Sequence, residues 1–349
     1  MRLITTILSF LLFSNIFALC NTTLEQDVSL PDSTITYDAS WTKISKESYF
    51  YDAATKQKLS SVGFLSQNNT WLQNTDIEFS YDETGRVIRE EGSFLDPSTQ
   101  ILVRAYRYDI SYNADGNFSS EEYYTKESGQ TSWAGVSKYA YTYDSGNIKE
   151  VLSYVWNTQT TTWTFGKKYV YNYDQNNNEI LFESYNYDQN SQIWKTESKF
   201  EKTYSSPDNK LLSEIYFTNS ANKISWIGTT KSNNIYDANQ QIVERNTYRS
   251  ENGTDWVNDT KVNYAYSDSK LATANTLVWN NVAKTWSNTI KEEYGYVSGI
   301  LNSKSTSSWN QKSSSWTPIL DKVFTNPDGG FDETTYSYTP LGTKTGISR

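Results

Sequence analysis

Residues 163–174 read Trp-Thr-Phe-Gly-Lys-Lys-Tyr-Val-Tyr-Asn-Tyr-Asp. Tyr169, Tyr171 and Tyr173 alternate with other residues, and this period of two predicts a strand with one aromatic face. The polar run Asp-Gln-Asn-Asn-Asn follows at 174–178, and such residues favour turns. A second strand is expected from Glu179 to Tyr187. The stretch therefore predicts a β-hairpin.

The pattern of this hairpin recurs along most of the chain. Tryptophans return at spacings of 30, 62, 30, 31, 32, 30, 30 and 30 residues, where 62 is two periods with one tryptophan missing near Leu102. They are Trp41, Trp71, Trp133, Trp163, Trp194, Trp226, Trp256, Trp286 and Trp316. Ten units therefore start at these nine tryptophans and near Leu102. Ten residues after its start, each of nine units carries a tyrosine: Tyr51, Tyr81, Tyr112, Tyr143, Tyr173, Tyr204, Tyr236, Tyr266 and Tyr296.

A fixed period of this length is typical of a repeat array, in which each unit buries its apolar face against its neighbours. We predict an all-β fold of about ten tandem β-hairpins of ~30 residues and ~20 antiparallel strands, in an extended, twisted or coiled meander sheet. Residues 41–349 form one repeat domain, and residues 21–40 form a leader that adds at most one edge strand, through Thr34 to Tyr37.

Two kinds of loop are expected in each unit. Aromatic residues seven apart flank the second loop, and a four-residue loop would place their rings opposite each other, at roughly 0.2–1 kcal/mol per pair. These pairs are Trp156 with Trp163, Trp279 with Trp286, Trp309 with Trp316, Tyr187 with Trp194, and Phe64 with Trp71. In the first loop, glycines supply a left-handed residue: Gly85, Gly116, Gly146, Gly329 and Gly330.

The first 20 residues predict a secretory signal peptide, because an apolar stretch follows Arg2 and small residues precede Asn21. The stretch is shorter than a transmembrane span of roughly 20 residues. Lipid anchoring at Cys20 is the alternative, although Leu19 stands where lipoprotein signals carry a small residue. We expect a secreted or cell-surface protein without integral membrane insertion.

The aromatic content and the net charge indicate how the core is built and which partners are excluded. Aromatic residues make up 15% of the chain, so rings rather than aliphatic side chains must build the buried layer. The net charge of −9 is dispersed along the units, which argues against a nucleic-acid partner.

The repeats resemble those of two kinds of bacterial protein. Tyr-Asp-Glu-Thr-Gly-Arg-Val at 81–87 is similar to the tyrosine-aspartate (YD, Rhs-type) repeats of secreted proteins. Tyr-Thr-Tyr-Asp-Ser-Gly-Asn-Ile at 141–148 is closer to the tandem repeats of surface and exported Bacteroidetes-type proteins. The resemblance covers residues 41 to about 340. It implies export and a structural or binding role, and it supplies no catalytic residue.

Few catalytic chemistries remain open. The chain has no histidine, which excludes serine-histidine and cysteine-histidine catalysis and imidazole metal sites. Five carboxylates at similar places in successive units are expected to lie on a solvated strand face: Glu90, Glu121, Glu150, Glu214 and Glu244. We predict no enzyme activity, no cofactor and no metal. Oxygen ligands at alternate positions, in 113–117 and 174–178, leave a calcium loop as the alternative to a self-capping turn.

Three interpretations of the aromatic rows remain. They form a packed face covered by the sheet itself or by the next turn of the array, or they are exposed platforms for glycans, or they belong to an outer-membrane barrel, which the scarcity of leucine and valine disfavours. We predict a secreted structural or adhesive protein, with carbohydrate binding as the alternative and extracellular glycans or surface proteins as partners. The candidate stacking rings are Trp163, Trp194, Trp226 and Trp256. In a eukaryote, Asn68, Asn117, Asn252 and Asn258 would be glycosylation sites.

Overall fold

The computed structural model describes residues 31–348 apart from 38, 69, 128, 220–224, 326–331 and 339–343. Within these residues the regular structure is 22 strands and no helix. The predicted fold class, an all-β meander of tandem hairpins, is confirmed. The predicted signal peptide with Cys20, residues 21–30 of the leader, Gly329 and Gly330 lie outside the described residues.

The strands follow the period of the sequence, with one strand for each half of a hairpin. Their bounds are β1 Ser33–Tyr37, β2 Lys43–Tyr51, β3 Lys58–Gln67, β4 Thr70–Tyr81, β5 Val87–Leu95, β6 Leu102–Tyr112, β7 Phe118–Thr125, β8 Ala134–Asp144, β9 Asn147–Asn157, β10 Thr162–Tyr173, β11 Glu179–Asp188, β12 Ile193–Tyr204, β13 Leu211–Asn219, β14 Trp226–Tyr236, β15 Ile242–Arg249, β16 Val257–Ser267, β17 Lys270–Asn280, β18 Thr285–Val297, β19 Ile300–Asn310, β20 Ser315–Thr325, β21 Asp332–Tyr338 and β22 Lys344–Ser348.

The chain divides into two compact units. The first comprises the described residues of 31–107 together with those of 126–131, and its strands pair antiparallel in chain order from β1 to β5. The second comprises residues 108–125 and those from 132 onward. There the antiparallel pairing runs in chain order from β7 to β22.

The register gives each sheet face its own aromatic rows. Residues opposite each other in a ladder point to the same side. Trp163 lies opposite Trp156, and Phe165 lies opposite Tyr154. A bulge with Gly166 as the extra residue follows Phe165, so Tyr169, opposite Val151, points to the other side. We call the side with Trp163 the tryptophan face and the side with Tyr169 the tyrosine face.

Asparagine and aspartate side chains shape the first loops. Asp174 Oδ1 accepts hydrogen bonds from the backbone N–H groups of Asn176 and Asn178, both at 2.9 Å. Asn113 Oδ1 does the same for Asp115 and Asn117, at 3.0 and 2.9 Å. Both segments that resemble calcium loops are therefore self-capping turns, as this geometry is the usual role of Asn and Asp in turns.

Three of the glycines predicted to be left-handed have positive φ: Gly85 at 88°, Gly116 at 86° and Gly146 at 86°. The four-residue second loop is also confirmed, since Trp163 lies opposite Trp156, Trp286 opposite Trp279 and Trp316 opposite Trp309.

The prediction that Phe64 faces Trp71 was wrong. Gln67 pairs with Thr70, so this loop has two residues between the strands rather than four. Trp71 consequently lies opposite Ser66, and Phe64 lies opposite Gln73. Asn68, with φ of 50°, provides the left-handed residue that the tighter turn requires.

In three units the recurring tyrosine links its hairpin to the strand before it through a hydrogen bond. All nine of these rings are half-buried. The hydroxyl of Tyr236 donates to the carbonyl oxygen of Leu211 at 3.0 Å, and that of Tyr266 donates to Ile242 at 3.0 Å. In the first unit, Tyr81 donates to Lys58 at 2.7 Å. Each carbonyl belongs to the first residues of the preceding strand, where the chain leaves a loop.

We expect Tyr266→Phe to lower the free energy of unfolding by about 0.5–1.5 kcal/mol, the net contribution of one such hydrogen bond. The ring and its packing remain, while the Ile242 carbonyl loses its donor. Urea denaturation followed by tryptophan fluorescence measures the change. Tyr296→Phe is the matched control, because the tyrosine of the next unit makes no such bond in the described structure, and an equal loss in both variants would contradict the role of the hydroxyl.

Candidate functional site

Four of the predicted aromatic pairs form, on the tryptophan face at the second loop of their hairpins. The ring centroids of Trp156 and Trp163 are 5.0 Å apart with an interplanar angle of 72°. Tyr187 and Trp194 are 5.0 Å apart at 62°, and the pairs at 279/286 and 309/316 are alike. Edge-to-face contacts of this kind contribute roughly 0.5–1.5 kcal/mol beyond the area they bury.

The pair of Trp156 and Trp163 also lies over the preceding hairpin. The Tyr124 ring is 6.0 Å from Trp156 and 5.7 Å from Trp163. Tyr124 faces Gly135 across the β7–β8 ladder. A Cβ atom added to Gly135 would meet carbon atoms of Trp156 and Trp163 at 2.5 Å. The missing side chain therefore lets the two indole rings seat directly on the sheet.

The same seating recurs in later units. Phe165 occupies the place of Gly135, and its ring is 5.3 Å from Tyr187 and 5.5 Å from Trp194. Trp226 lies 6.0 Å from Tyr185. Trp256 lies over Gly228, where an added Cβ would come within 3.1 Å of the indole. These tryptophans therefore pack on the preceding repeat and cover its residues on the tryptophan face.

The four candidate stacking tryptophans, Trp163, Trp194, Trp226 and Trp256, are all half-buried. They belong to successive repeats, so the sheet places them in a row rather than around one pocket. Trp41 differs from them, with 82% of its surface exposed. Among the described hydrophobic residues only Ile110, Tyr124, Val151 and Ala274 are buried, so Tyr124 is the most enclosed ring beneath any of these tryptophans.

Charged groups accompany this row. Glu122 accepts hydrogen bonds from the Tyr124 hydroxyl and, at 3.2 Å, from Trp163 Nε1, and Lys138 Nζ lies 2.9 Å away. Partial burial pushes the pKa of Glu122 upward, but the bonds from Tyr124 and Lys138 outweigh it, so this pKa lies below its usual range. Lys168 Nζ lies over Tyr185 and Trp194, at 4.6 and 5.1 Å from the ring centroids.

The tyrosine face holds a buried carboxylate, Glu121, which we predicted to be exposed to solvent. Glu121 is 8% exposed, so the prediction of a solvated face was wrong at this position. One carboxylate oxygen accepts from the Tyr108 hydroxyl and the other from the Tyr141 hydroxyl. The phenols supply the hydrogen bonds that a buried charge requires. The other four carboxylates of this set are half-buried.

Burial of the tyrosine face shifts the acidity of its phenols. Burial first and the neighbouring Glu121 second raise the pKa values of Tyr108 and Tyr141 well above the usual range. Burial and the charge of Glu179 raise the pKa of Tyr171 to about 12. The folded chain therefore holds these protons to higher pH than the unfolded chain does.

Because the unfolded tyrosines ionise near pH 10, the contribution of these phenols to stability is expected to be constant below that pH and to fall as pH rises above it. Urea midpoints at pH 8, 10 and 11 measure this, and absorbance at 295 nm should show phenols that ionise only on unfolding. Tyr171→Phe should weaken the pH dependence. A midpoint unchanged from pH 8 to 11 would contradict the shifted pKa values.

A shallow groove of about 490 Å³ lies between the β9–β10 hairpin and β11. Val155, Asn157 and Asn186 line it on the tyrosine face, whereas the neighbouring Phe165 and Tyr187 carry their rings on the tryptophan face. The sequence did not single out Val155, Phe165 or Gln189. The position of Phe165 carries glycine in two units and glutamine, threonine, asparagine or proline in others, so no periodic signal of the sequence marks the groove.

The remaining predicted sites are scattered. Asn68 and Asn252 are exposed, whereas Asn117 and Asn258 are half-buried. Within the described ranges, no group of three or more acidic or cysteine side chains is placed to hold a metal ion. In the same ranges no helix has the length and hydropathy to cross a membrane.

Neither a protein-family model nor a curated protein sequence matches this chain. A solved protein of unknown function from Bacteroides fragilis is 21% identical, with a TM-score of 0.29 over 36% of this chain and 89% of that one. A DUF3836 family protein from Bacteroides vulgatus is 22% identical, with a TM-score of 0.22 over 26% and 90%. A TcdB2-TccC3 structure is 9% identical, with a TM-score of 0.29 over 88% and 20%. At such TM-scores these similarities assign no function, and the chain is a repetitive β-protein.

Proposed function

We propose that this chain is a non-enzymatic repeat scaffold, exported to the cell surface or secreted, with a structural or adhesive role. The observation that carries the proposal is the seating of the tryptophans. Each ring that the sequence offered for ligand stacking packs against the hairpin before it, as Trp163 packs against Tyr124 at 5.7 Å. The tryptophans that recur once per unit therefore stabilise the contact between neighbouring repeats.

The chemistry of the carboxylates supports the absence of catalysis. A general acid or base must reach the substrate proton, within about 2.6–3.2 Å or through one water. Both oxygens of Glu121 are occupied by tyrosine hydroxyls on a buried site. Glu122 is held in the same way by Tyr124, Trp163 and Lys138. These groups join strands together rather than face an open cleft.

A pair of tryptophan variants tests the scaffold. Trp194→Ala removes a ring that packs against Tyr187 and Phe165 and is expected to lower the urea midpoint clearly, in the range of roughly 3–5 kcal/mol for a buried aromatic ring and less for a half-buried one. Trp41→Ala removes a ring that is 82% exposed and should change the midpoint little. Unchanged stability of the first variant would refute the role of the row.

Export is tested separately. Fractionation and protease treatment of intact cells should place the chain outside the cytoplasm, with residues 1–20 removed. Recovery of the intact N-terminus from the cytoplasm would refute export without affecting the scaffold.

Carbohydrate binding is the second candidate function, and the β9–β11 groove is the observation that favours it. The groove combines the apolar side chain of Val155, which is 57% exposed, with the amide groups of Asn157 and Asn186 on the same face of the sheet. Ligand sites commonly pair such a surface with a few fixed polar groups. This candidate uses the groove and not the row of tryptophans.

A further inference from the structure

We propose that Lys261 and Asn246 react with each other to form an isopeptide bond between β15 and β16, with Glu244 as the group that moves the protons. The inference goes beyond the proposed scaffold role, because it adds a covalent modification that the chain carries out on itself. The chain has a single cysteine and can form no internal disulfide. An isopeptide bond would join two of its strands covalently without one.

A lysine stands five residues after the tryptophan in six successive units. These lysines are Lys138, Lys168, Lys199, Lys231, Lys261 and Lys291. The residue that lies opposite on the preceding strand differs from unit to unit, and it is, in the same order, Glu122, Leu152, Glu183, Ile215, Asn246 and Asn275. The last two of these six carry a carboxamide, whose carbon atom an amine can attack.

One carboxylate connects the amine and the amide in the first of these two pairs. Asn246 and Lys261 lie directly opposite each other in the β15–β16 ladder. Glu244, two residues before Asn246, points to the same side of the sheet. Its Oε1 accepts a hydrogen bond from Asn246 Nδ2 at 2.6 Å, and its Oε2 accepts one from Lys261 Nζ at 3.0 Å. Glu244 therefore contacts both the nucleophile and the nitrogen that would leave.

The three groups are partly shielded from water. Asn246 is 9% exposed, and the side chains of Lys261 and Glu244 are 23% and 26% exposed. Lys261 Nζ lies 5.4 Å from the ring centroid of Trp286, which belongs to the next repeat. Opposite residues in an antiparallel ladder have Cβ atoms about 4.5–5.5 Å apart, and a lysine stem is long enough to bring Nζ to Asn246 Cγ across that gap.

The carboxylate oxygens are placed for a proton relay from nucleophile to leaving group, within the distances of general acid–base catalysis. Glu244 Oε2 takes a proton from Lys261 Nζ, and the neutral amine attacks Asn246 Cγ. The Nζ–Cγ bond forms, the Cγ–Nδ2 bond breaks, and the carboxyl group delivers its proton to Nδ2. In total Nζ gives up two protons, Nδ2 takes up two, and ammonium leaves. The reaction therefore needs neither an oxidant nor a co-reactant.

The reaction is expected to be slow, because the amine and the carboxylate are charged before it begins. The hydrogen bond from Asn246 and the charge of Lys261 outweigh partial burial and hold the pKa of Glu244 below its usual range. The proton transfer that frees the amine is therefore uphill. Reacting groups held side by side have effective molarities of roughly 10⁵–10⁸ M when well oriented, and the bond needs to form only once in each chain.

The next repeat contains the matched pair without the carboxylate. Asn275 lies opposite Lys291, but Thr273 stands in the place of Glu244. Lys291 Nζ forms an ion pair with Glu293 on its own strand at 2.7 Å, and Asn275 Oδ1 is buried without a hydrogen-bond partner. No carboxylate connects amine and amide in this way there, so we expect these two residues to remain unlinked.

Tryptic peptide mapping of the purified full chain by mass spectrometry tests the proposal. Trypsin should fail to cleave after Lys261 and should release residues 246–249 joined to residues 250–270. The mass of this product should be lower than the sum of the two separate peptides by one ammonia molecule. We expect it from most chains after incubation of the folded protein at neutral pH.

Glu244→Gln should reduce the linked fraction by about tenfold or more, because it removes the proton relay. Lys261→Arg should abolish the product. Glu293→Gln is the matched control, since it removes the acid beside Lys291, and it should leave the linked fraction unchanged. Circular dichroism should show all variants folded. Absence of the linked product from the wild-type chain, its survival in Glu244→Gln, or conversion of Asn246 to aspartate in its place would overturn the proposal.

A gain of the bond in the next repeat is the complementary test. Glu244 lies opposite Asn263, whereas Thr273 lies opposite Glu293. Thr273→Glu combined with Glu293→Asn therefore rebuilds the arrangement around Asn275, and peptide mapping should then find Lys291 linked to it. The scaffold is tested separately by the tryptophan variants, so a chain without isopeptide bonds would refute this inference and leave the scaffold intact.

Discussion

Gly135→Ala is expected to lower the free energy of unfolding by roughly 1–3 kcal/mol, the range for overfilling a packed site. Its new Cβ would lie 2.5 Å from Trp156 and Trp163, closer than carbon atoms can approach. Two indole rings would have to lift from Tyr124, and the contact between successive hairpins would open. Urea denaturation measures the loss, and the fluorescence of the two rings should shift as they become wetter.

Gly346→Ala is the matched control. Gly346 lies opposite Tyr336 just after a bulge, as Gly135 lies opposite Tyr124, but an added Cβ there meets nothing within 4 Å. This change should be neutral, or stabilising by up to about 1 kcal/mol through the unfolded state. Gly228→Ala, with a nearest approach of 3.1 Å to Trp256, should fall between the two. The same loss at all three positions would show that the seat of Trp163 is not the cause.

Glu121→Ala is the second large effect, with an expected loss of about 2–4 kcal/mol. The substitution leaves the hydroxyls of Tyr108 and Tyr141 buried without their acceptor, and each stranded hydroxyl costs about 1–3 kcal/mol. Urea and thermal unfolding measure the change. Glu90→Ala, which removes the acceptor of Tyr106 from a less buried carboxylate, should cost less.

The next repeat shows how the loss can be recovered. Val151 lies opposite Tyr169 where Glu121 lies opposite Tyr139, so valine fits this position of the sheet. Glu121→Val combined with Tyr108→Phe and Tyr141→Phe removes all three polar partners together. We expect the triple variant to regain most of the stability that Glu121→Ala loses. A triple variant as unstable as the single one would mean that Glu121 acts through something other than these two hydroxyls.

The fold could be predicted because the residues that form each hairpin, the alternating strand residues and the turn residues, lie within one repeat. The alternation at Tyr169, Tyr171 and Tyr173 and the turn at Asp174 depend only on neighbouring residues, and both are present in the structure. The pairing of Trp156 with Trp163 follows from loop length alone. Where the loop length changed, as at Asn68, the same rule failed for Phe64 and Trp71.

The candidate site was harder to predict because it depends on contacts between repeats. Spacing cannot show that Trp163 folds over Tyr124, nearly forty positions earlier. Nor can it separate Glu121 from the carboxylates at the same place in other units, because the tyrosines that enclose it come from two other strands. The groove was not predicted because the position of Phe165 carries a different residue in most units, so no period of the sequence marks it.

The seating of the tryptophans gives the array a direction. In the second compact unit four tryptophans rest on the hairpin before them: Trp163, Trp194, Trp226 and Trp256. The loss of a following repeat would uncover the residues beneath one such ring, whereas the loss of a preceding repeat would uncover the ring itself. Trp41, with β1 alone ahead of it in the described chain, shows the second situation at 82% exposure. Repeat number in such a chain can therefore change with less penalty at the trailing end, and duplication there is the easier route by which a protein of this design grows longer.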